Sequence, residues 1–441
     1  MPALASAREY SFDKLRRDLL AGLTVAVVEV PQAMAYALIA GVPPQYGLYT
    51  SIIQGAIGAL LSSSNHVTSG PTNTQALLIA SAVTRLADPV NAPHVYLQLV
   101  TLLTLLKGLM LLVMAVARFG DLLRYVSRSV IVGLSSGAGV LIAVGQLGPF
   151  LGIVVDEKSR LPGVIGMLAE LVPRLGQAEL WPIALGCISV AVILAARLIS
   201  PLAPGSLLAV LVGGAIVAAS GVVEGPHVVG ALPAALPGFA LPVATLDQVR
   251  SLLPGAAALA VVGIVETVAI AKTLAGRTGE HISADQEFFA QGAQNAIASF
   301  FQCMPGSASF SRSALDLAAG AQTRFAAVFN AGFVASIFLL FGAWARHIPL
   351  ASLSAVLIVI AVGLIDWPTV RRLARTSRGD FAVAVVTFAA TLLAPLEYAV
   401  FIGIFLNIAL YLRRASKLHL AEVVPTAGGP FLERPILDRS G

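Results

Sequence analysis

"PGSASFSRSALDLAAG", Pro305 to Gly320, sets small hydroxyl-bearing residues and a lone arginine, Arg312, between stretches that read as hydrocarbon. "AIASFF" precedes it and "AAVFNAGFVASIFLLF" follows. The helical pattern inside it, about 308–321, is too short to cross a hydrocarbon core that needs roughly 20 apolar residues. A second stretch has the same design: "SSSNHVTSGP" leads into a short apolar run over 71–86. Non-helical backbone at membrane depth is tolerated only where it is buried in protein or lines a cavity. The two stretches therefore predict extended pieces before Thr72 and Ser309 that meet near the midplane, each leading into a short helix that runs outward.

The rest of the chain supplies the membrane. Of 441 residues, 57% are hydrophobic and 12% charged, with a mean hydropathy of +0.86. Soluble domains carry about a quarter charged residues. The apolar runs continue with few breaks from 18 to 412, which predicts an all-α polytopic membrane protein of fourteen segments within residues 1–413. Two cysteines, Cys187 and Cys303, lie in apolar stretches without the spacing of a disulfide framework or a zinc site. No signal peptide is read at the N-terminus. The net charge of +5 is an orientation signal rather than a sign of nucleic acid. With the N-terminus in the cytoplasm, twenty of the 28 Lys and Arg fall inside and six outside, while Lys107 and Arg312 fall within spans. The excess predicts an even number of crossings with both termini cytoplasmic.

The two halves echo each other. "AVVEVPQAMAYALIAG" ends at Gly41 and "VVGIVETVAIAKTLAG" at Gly276, an offset of 235 residues. The same shift carries Gly70, at the head of "GPTNTQALLIAS", onto Pro305. Seven segments per half is odd, so the second half is expected upside down. Inverted repeats with short interrupted segments at matching positions point to a secondary transporter whose site lies at the midplane.

The N-termini of the short helices, the third and tenth segments, would face one another there. Each offers unpaired N–H groups and about half a positive charge, an anion site before any side chain is added. Arg312, in the first turn of the second helix, reinforces it; the alternative is a structural pairing with Glu266 or a backbone carbonyl. Glu29 and Glu266 also lie deep in spans, Glu29 beside the break expected at Pro31 and on the helix face of Gln32. Both are candidates for proton exchange with solvent, and a static ion pair or a helix cap is the alternative for each. Gln32, Tyr36, Thr72, Asn73, Thr74, Ser309 and Ser311 supply neutral hydrogen-bonding groups. His66 and the acidic run "GEHISADQE", Gly279–Glu287, are expected to be solvated, and 156–178 to lie along the outer interface.

These residues resemble a known family. "VPQAMAYALIAGVPPQYGLYTS" (30–51), "HVTSGPTNTQALL" (66–78), "IVETVAIAKTLAGRTG" (264–279), "SFSRSALDLAAGAQTR" (309–324) and "VGLIDW" (362–367) are similar, in order, to motifs of the SulP family of sulfate permeases and related anion exchangers. The resemblance spans essentially the whole chain. It implies fourteen segments in two inverted repeats, with a core domain at about 18–117 and 253–345 and a gate domain at about 121–222 and 349–412. By position it implies substrate contacts at Gln32, Tyr36, Thr72, the neighbouring Asn73, the backbone around Phe310, Ser311 and the nearby Arg312. Glu266 falls on the acidic position tied to cation coupling in several members, and members are commonly homodimers. Glu29 departs from the apolar or neutral residue usual at its place, which favours proton coupling. Residues 414–441 read as a linker toward a cytoplasmic STAS domain, for which 441 residues leave no room.

An enzyme is disfavoured: no HExxH and no phosphate-binding glycine loop occurs, and the GxSxG at 133–137 lies within an apolar run rather than at a strand-to-helix elbow. No cofactor is expected. Arg312 beside serines suits an anion better than a nucleobase ring. The expectation is a proton-coupled symporter of a small dianion, sulfate or a dicarboxylate such as fumarate, working by an elevator-like movement in the plasma (inner) membrane. A bicarbonate/chloride exchanger or a channel-like anion conductor is the alternative. The predicted charge balance gives Arg312 +1 and the two helix ends about +0.5 each, so two ionised glutamates would cancel the field and protonation would restore it.

Overall fold

The computed structural model describes residues 10–120, 128–153, 163–200, 203–221, 228–233, 235–415, 421–424 and 432–435. Helices occupy every range expected from the apolar runs, and among the described residues eight are long and apolar enough to cross a membrane. Residues 156–162 of the expected interfacial stretch and most of 414–441 lie outside the described residues; inside the latter, two strands, Ala421–Val424 and Leu432–Pro435, pair antiparallel.

The first half opens with α1 (Phe12–Ile39) and α2 (Pro44–Leu61), then strand β1 (Ser69–Gly70) and the short α3 (Asn73–Val83). Next come α4 (Pro93–Val116), α5 (Arg128–Gly145), the one-turn α6 (Leu147–Leu151), α7 (Gly163–Leu171), α8 (Leu180–Ile199) and α9 (Gly205–Ser220). The second half runs α10 (Leu246–Thr278), α11 (Ala284–Ser299), β2 (Ser307–Ala308), the nine-residue α12 (Phe310–Ala318) and α13 (Phe325–Phe341). It ends with α14 (Leu350–Gly363), α15 (Trp367–Thr376), α16 (Arg378–Leu393) and α17 (Leu396–Ala415). The break expected at Pro31 does not occur: α1 is one continuous helix with Pro31 inside it. Proline removes a single intrahelical hydrogen bond, and tight burial of this stretch between α2 and α13 holds the helix through the gap.

Packing sorts the helices into two sets. α1–α4 pack with α10–α13, most extensively α4 on α11 and α1 on α13. α5–α9 pack with α14–α17, most extensively α5 on α16 and α8 on α14. Small residues let the backbones approach, as membrane helices require when no hydrophobic effect drives them together. At Gly47 an added Cβ would lie 2.0 Å from the Ala33 carbonyl oxygen, and at Gly108, 2.4 Å from the Ala296 nitrogen.

β1 and β2 fix the centre. They pair antiparallel, Ser69 opposite Ala308 and Gly70 opposite Ser307. Buried backbone here finds partners in side chains, as a dry environment demands. Gln54 Nε2 donates to the Met304 carbonyl (3.0 Å), Asn295 Nδ2 to the Gly306 carbonyl (3.1 Å), and the Met304 N–H donates to Thr50 Oγ1 (3.0 Å). The Gly306 N–H donates to Asn295 Oδ1 at 3.1 Å, and the Thr68 N–H to Ser313 Oγ at 2.9 Å. Because the strands are antiparallel and each ends at a helix start, α3 and α12 begin side by side and leave in opposite senses.

Candidate anion site

Thr72 and Ser307, 235 residues apart, touch through their hydroxyls at 3.3 Å, where the two extended pieces cross. Thr72 is the N-cap of α3, and Asn73 Oδ1 accepts from the Thr74 N–H at 2.8 Å. Ser309 holds the N-cap position of α12, but no side chain caps that helix, so its first-turn N–H groups stay open. Both N-termini border one cavity of about 450 Å3.

Gln32, Tyr36, Thr72, Asn73, Phe310 and Ser311, all predicted from sequence, line this cavity, as does Glu266. Gln32 Oε1 has no hydrogen-bond partner, and Phe310 is 54% exposed into open space. Ser135 of α5 and Arg197 of α8 line the far wall, from the other helix set. Neither was singled out from sequence: a serine in an apolar run is unremarked, and Arg197 reads there as a charge at a helix end.

Arg312 departs from its predicted role. It is 1% exposed and does not line the cavity. Its Nη1 donates to Glu29 Oε1 at 2.5 Å and its Nη2 to the Pro71 carbonyl at 3.0 Å, while Asn330 Nδ2 donates to Glu29 Oε2 at 2.7 Å. The partner of Arg312 is therefore Glu29 and a backbone carbonyl, not Glu266. An arginine this deep must be paired, because an isolated charge away from water is costly, and α1 brings its carboxylate closer than α10 does. Glu29 is likewise sealed behind the wall, 0% exposed. Gly70 makes room for the pair: a Cβ there would meet Glu29 Oε1 at 3.0 Å and Arg312 Nη1 at 3.1 Å, at a backbone φ of +156°.

Glu266 has different neighbours. Half-buried on the cavity wall, it has Thr74 beside it and the Lys107 ammonium within electrostatic reach. Lys107, 0% exposed, donates to Gln75 Oε1 at 2.5 Å and to the Gly306 carbonyl at 2.6 Å. Sequence reasoning noted it only as one of two basic residues inside spans, and that rarity was the available signal.

Two peripheral expectations are also corrected. His66 is 6% exposed rather than solvated, with Nδ1 3.6 Å from Asp316 Oδ2 and Nε2 3.7 Å from Glu280 Oε1. The acidic run is in part a set of caps: Glu287 Oε1 accepts from the Ser63 N–H at 2.7 Å and from Ser62 Oγ at 2.9 Å. Loop backbone folded under the short helices needs such acceptors once it is buried.

A second cavity of about 440 Å3 lies beyond α3, lined by Leu38, Ile39, Leu77, Leu141, Gln146 and Glu170 among others. Its charged lining is a carboxylate, and it meets α3 past the first turn, so it offers an anion little.

Comparison with known proteins agrees with this architecture. The model of the sulfate permease family matches residues 15–387. A probable sulfate transporter of Mycobacterium tuberculosis is 35% identical over 420 residues, covering 95% of this chain and 74% of the relative. Solute carrier family 26 member 6 of Homo sapiens is 29% identical over 435 residues, covering 92% and 56%. The fold is similar to that of the murine solute carrier 26 family member A9 in its inward-facing state, with a TM-score of 0.89, 21% identity, and 99% of this chain and 74% of that one covered. It is also similar to the transmembrane domain of a cyanobacterial bicarbonate transporter, with a TM-score of 0.77, 23% identity, and 90% and 98% covered. The chain belongs to the sulfate permease family, as an integral membrane transport protein and not an enzyme.

Proposed function

We propose that the chain is a secondary active anion transporter that takes a small dianion, sulfate or a dicarboxylate such as fumarate, together with a proton. The observation that carries this reading is the pair of helix N-termini at one cavity, α3 and α12, with the Glu266 carboxylate on its wall and the buried Arg312–Glu29 pair behind it. The similarity to sulfate transporters supports sulfate as the first anion to test.

Charge bookkeeping among the groups of the helix set that carries the N-termini now includes Lys107; Arg197 stands apart, exposed on the far wall and screened by solvent. Arg312 offsets Glu29 and Lys107 offsets Glu266, which leaves the two helix ends, about +1 in all. A dianion would bring the site to about −1. Protonating one carboxylate restores neutrality, which a dry site favours. Glu266 is the proton acceptor in this reading, because it lines the cavity whereas Glu29 is sealed behind Arg312. A second reading rests on the same balance: a monoanion such as bicarbonate or chloride matches +1 with no proton, as an exchanger or a channel-like conductor would use.

In this proposal the fourteen segments form two inverted repeats. The α1–α4 and α10–α13 set is the core domain and the α5–α9 and α14–α17 set is the gate. The core carries the site past the gate in an elevator-like step, as one member of a homodimer in the plasma (inner) membrane with both termini cytoplasmic. Uptake of labelled sulfate and fumarate into proteoliposomes, with and without an inward proton gradient, tests it. The wild-type chain accelerates with the gradient, and Glu266→Gln transports without that acceleration. Acceleration that persists in Glu266→Gln sinks the assignment, and gradient-independent uptake by the wild type favours the monoanion reading.

A further inference from the structure

Lys107 is placed where one side chain can act on both half-helices at once. Its stem rises from α4, and its ammonium reaches Gln75, in the first turn of α3, and the carbonyl of Gly306, immediately before β2 and α12. Gly263 of α10 makes the approach possible, since a Cβ there would sit 3.2 Å from Nζ and 3.2 Å from Gln75 Nε2. Gln75 is pinned in turn by Nε2, which donates to the Leu259 carbonyl at 3.3 Å. The Gly306 carbonyl accepts from Asn295 as well as from Lys107. Glu266 stands one turn along α10 from Gly263, which the ammonium abuts, and lies within its electrostatic reach. The Arg312–Glu29 pair is satisfied separately.

We infer that Lys107 is the positioning residue of the anion site: it ties the starts of α3 and α12 together and, as the counter-charge of Glu266, sets how many protons must accompany the anion. The inference rests on reading this cavity as the anion site. Two consequences separate a counter-charge from a mere packing residue. First, replacing Lys107 by a neutral residue leaves Glu266 uncompensated, so the positive field of the helix ends is cancelled until Glu266 takes a proton. Second, neutralising Glu266 in the same chain removes that need. A structural lysine would give additive losses; a counter-charge gives a second substitution that repairs the first.

The test is a four-corner cycle of the full chain: wild type, Lys107→Gln, Glu266→Gln and the double variant, with Lys107→Arg as a charge-preserving control. In proteoliposomes Lys107→Gln raises the KM for sulfate at neutral pH by about tenfold or more, and acidification recovers part of it. The double variant lowers that KM again by about tenfold and loses the pH dependence. Lys107→Arg, which keeps the charge, retains the pH dependence of the wild type whatever its KM. A double variant no better than Lys107→Gln, or a Lys107→Gln chain with unchanged KM and pH profile, overturns the inference. Thermal unfolding of the same four purified chains reads the coupling without transport: Glu266→Gln recovers stability lost in Lys107→Gln. If no chain takes up any anion yet this stability coupling is present, the functional reading fails while the Lys107–Glu266 coupling stands. Additive stability losses overturn the coupling itself.

Discussion

Removing one charge from the Glu29–Arg312 pair leaves the other with no water to receive it. Breaking a buried pair from one side costs about 3–5 kcal/mol, whereas removing both partners can be close to neutral. Glu29→Gln is therefore expected to lower the thermal unfolding temperature of the purified chain sharply, and Glu29→Gln with Arg312→Gln to recover most of the loss. A double variant as unstable as the single one would mean that Glu29 does not compensate Arg312. At this scale the sequence announces its charges and hides their pairings. Arg312, Glu29 and Glu266 stand out because they interrupt hydrocarbon. That Arg312 belongs to Glu29, 283 residues away, follows only from how α1 and α12 are brought together. Lys107 was visible on the same grounds, yet its partners Gln75 and Gly306 are a neutral side chain and a backbone oxygen, which carry no mark in a sequence.

The short helices and the extended pieces before them were legible as elements. Each is a run too brief to span, placed after glycine, proline and serine, and a single offset of 235 residues connects them. The residue pair that meets at the crossing, Thr72 and Ser307, has that same separation. What the sequence misjudged was continuity: Pro31 suggested a break, and packing kept α1 whole. The antiparallel pairing also demands close backbone approach, which makes Gly70 critical. Gly70→Ala pushes a methyl against the Glu29–Arg312 pair at a backbone angle that side chains avoid. Overpacking of this kind costs roughly 1–3 kcal/mol, and because the displaced groups support the N-terminus of α12, sulfate affinity should fall along with stability. Unchanged sulfate uptake and unfolding temperature in Gly70→Ala would show that the crossing tolerates a shift.

For the molecule as a whole, the division into core and gate comes from the family resemblance and belongs to the proposed function, which the heavier packing within each helix set supports. Periodicity alone does not give it, since nothing in an apolar run says which neighbour it touches. Movement of one set against the other predicts a clear contrast in a background lacking Cys187 and Cys303. Ser81 of α3 and Leu396 of α17 meet across the sets, the Leu396 N–H donating to Ser81 Oγ at 3.1 Å. A cross-link between cysteines at these two positions should stop uptake, and reducing it should restore uptake. Ser189 of α8 and Ser352 of α14, with hydroxyls 2.7 Å apart, lie within one set, and a cross-link there should leave uptake within about twofold of wild type. The most direct test of the account is the position of the anion itself, from a cryo-electron microscopy structure of the chain in lipid nanodiscs with saturating sulfate. The account predicts density between the N-termini of α3 and α12, within hydrogen-bonding distance of the open first-turn N–H groups of α12 and beside Gln32, Tyr36 and Ser311. Density in the cavity beside Leu77 and Glu170, or none at the crossing of β1 and β2, would contradict it.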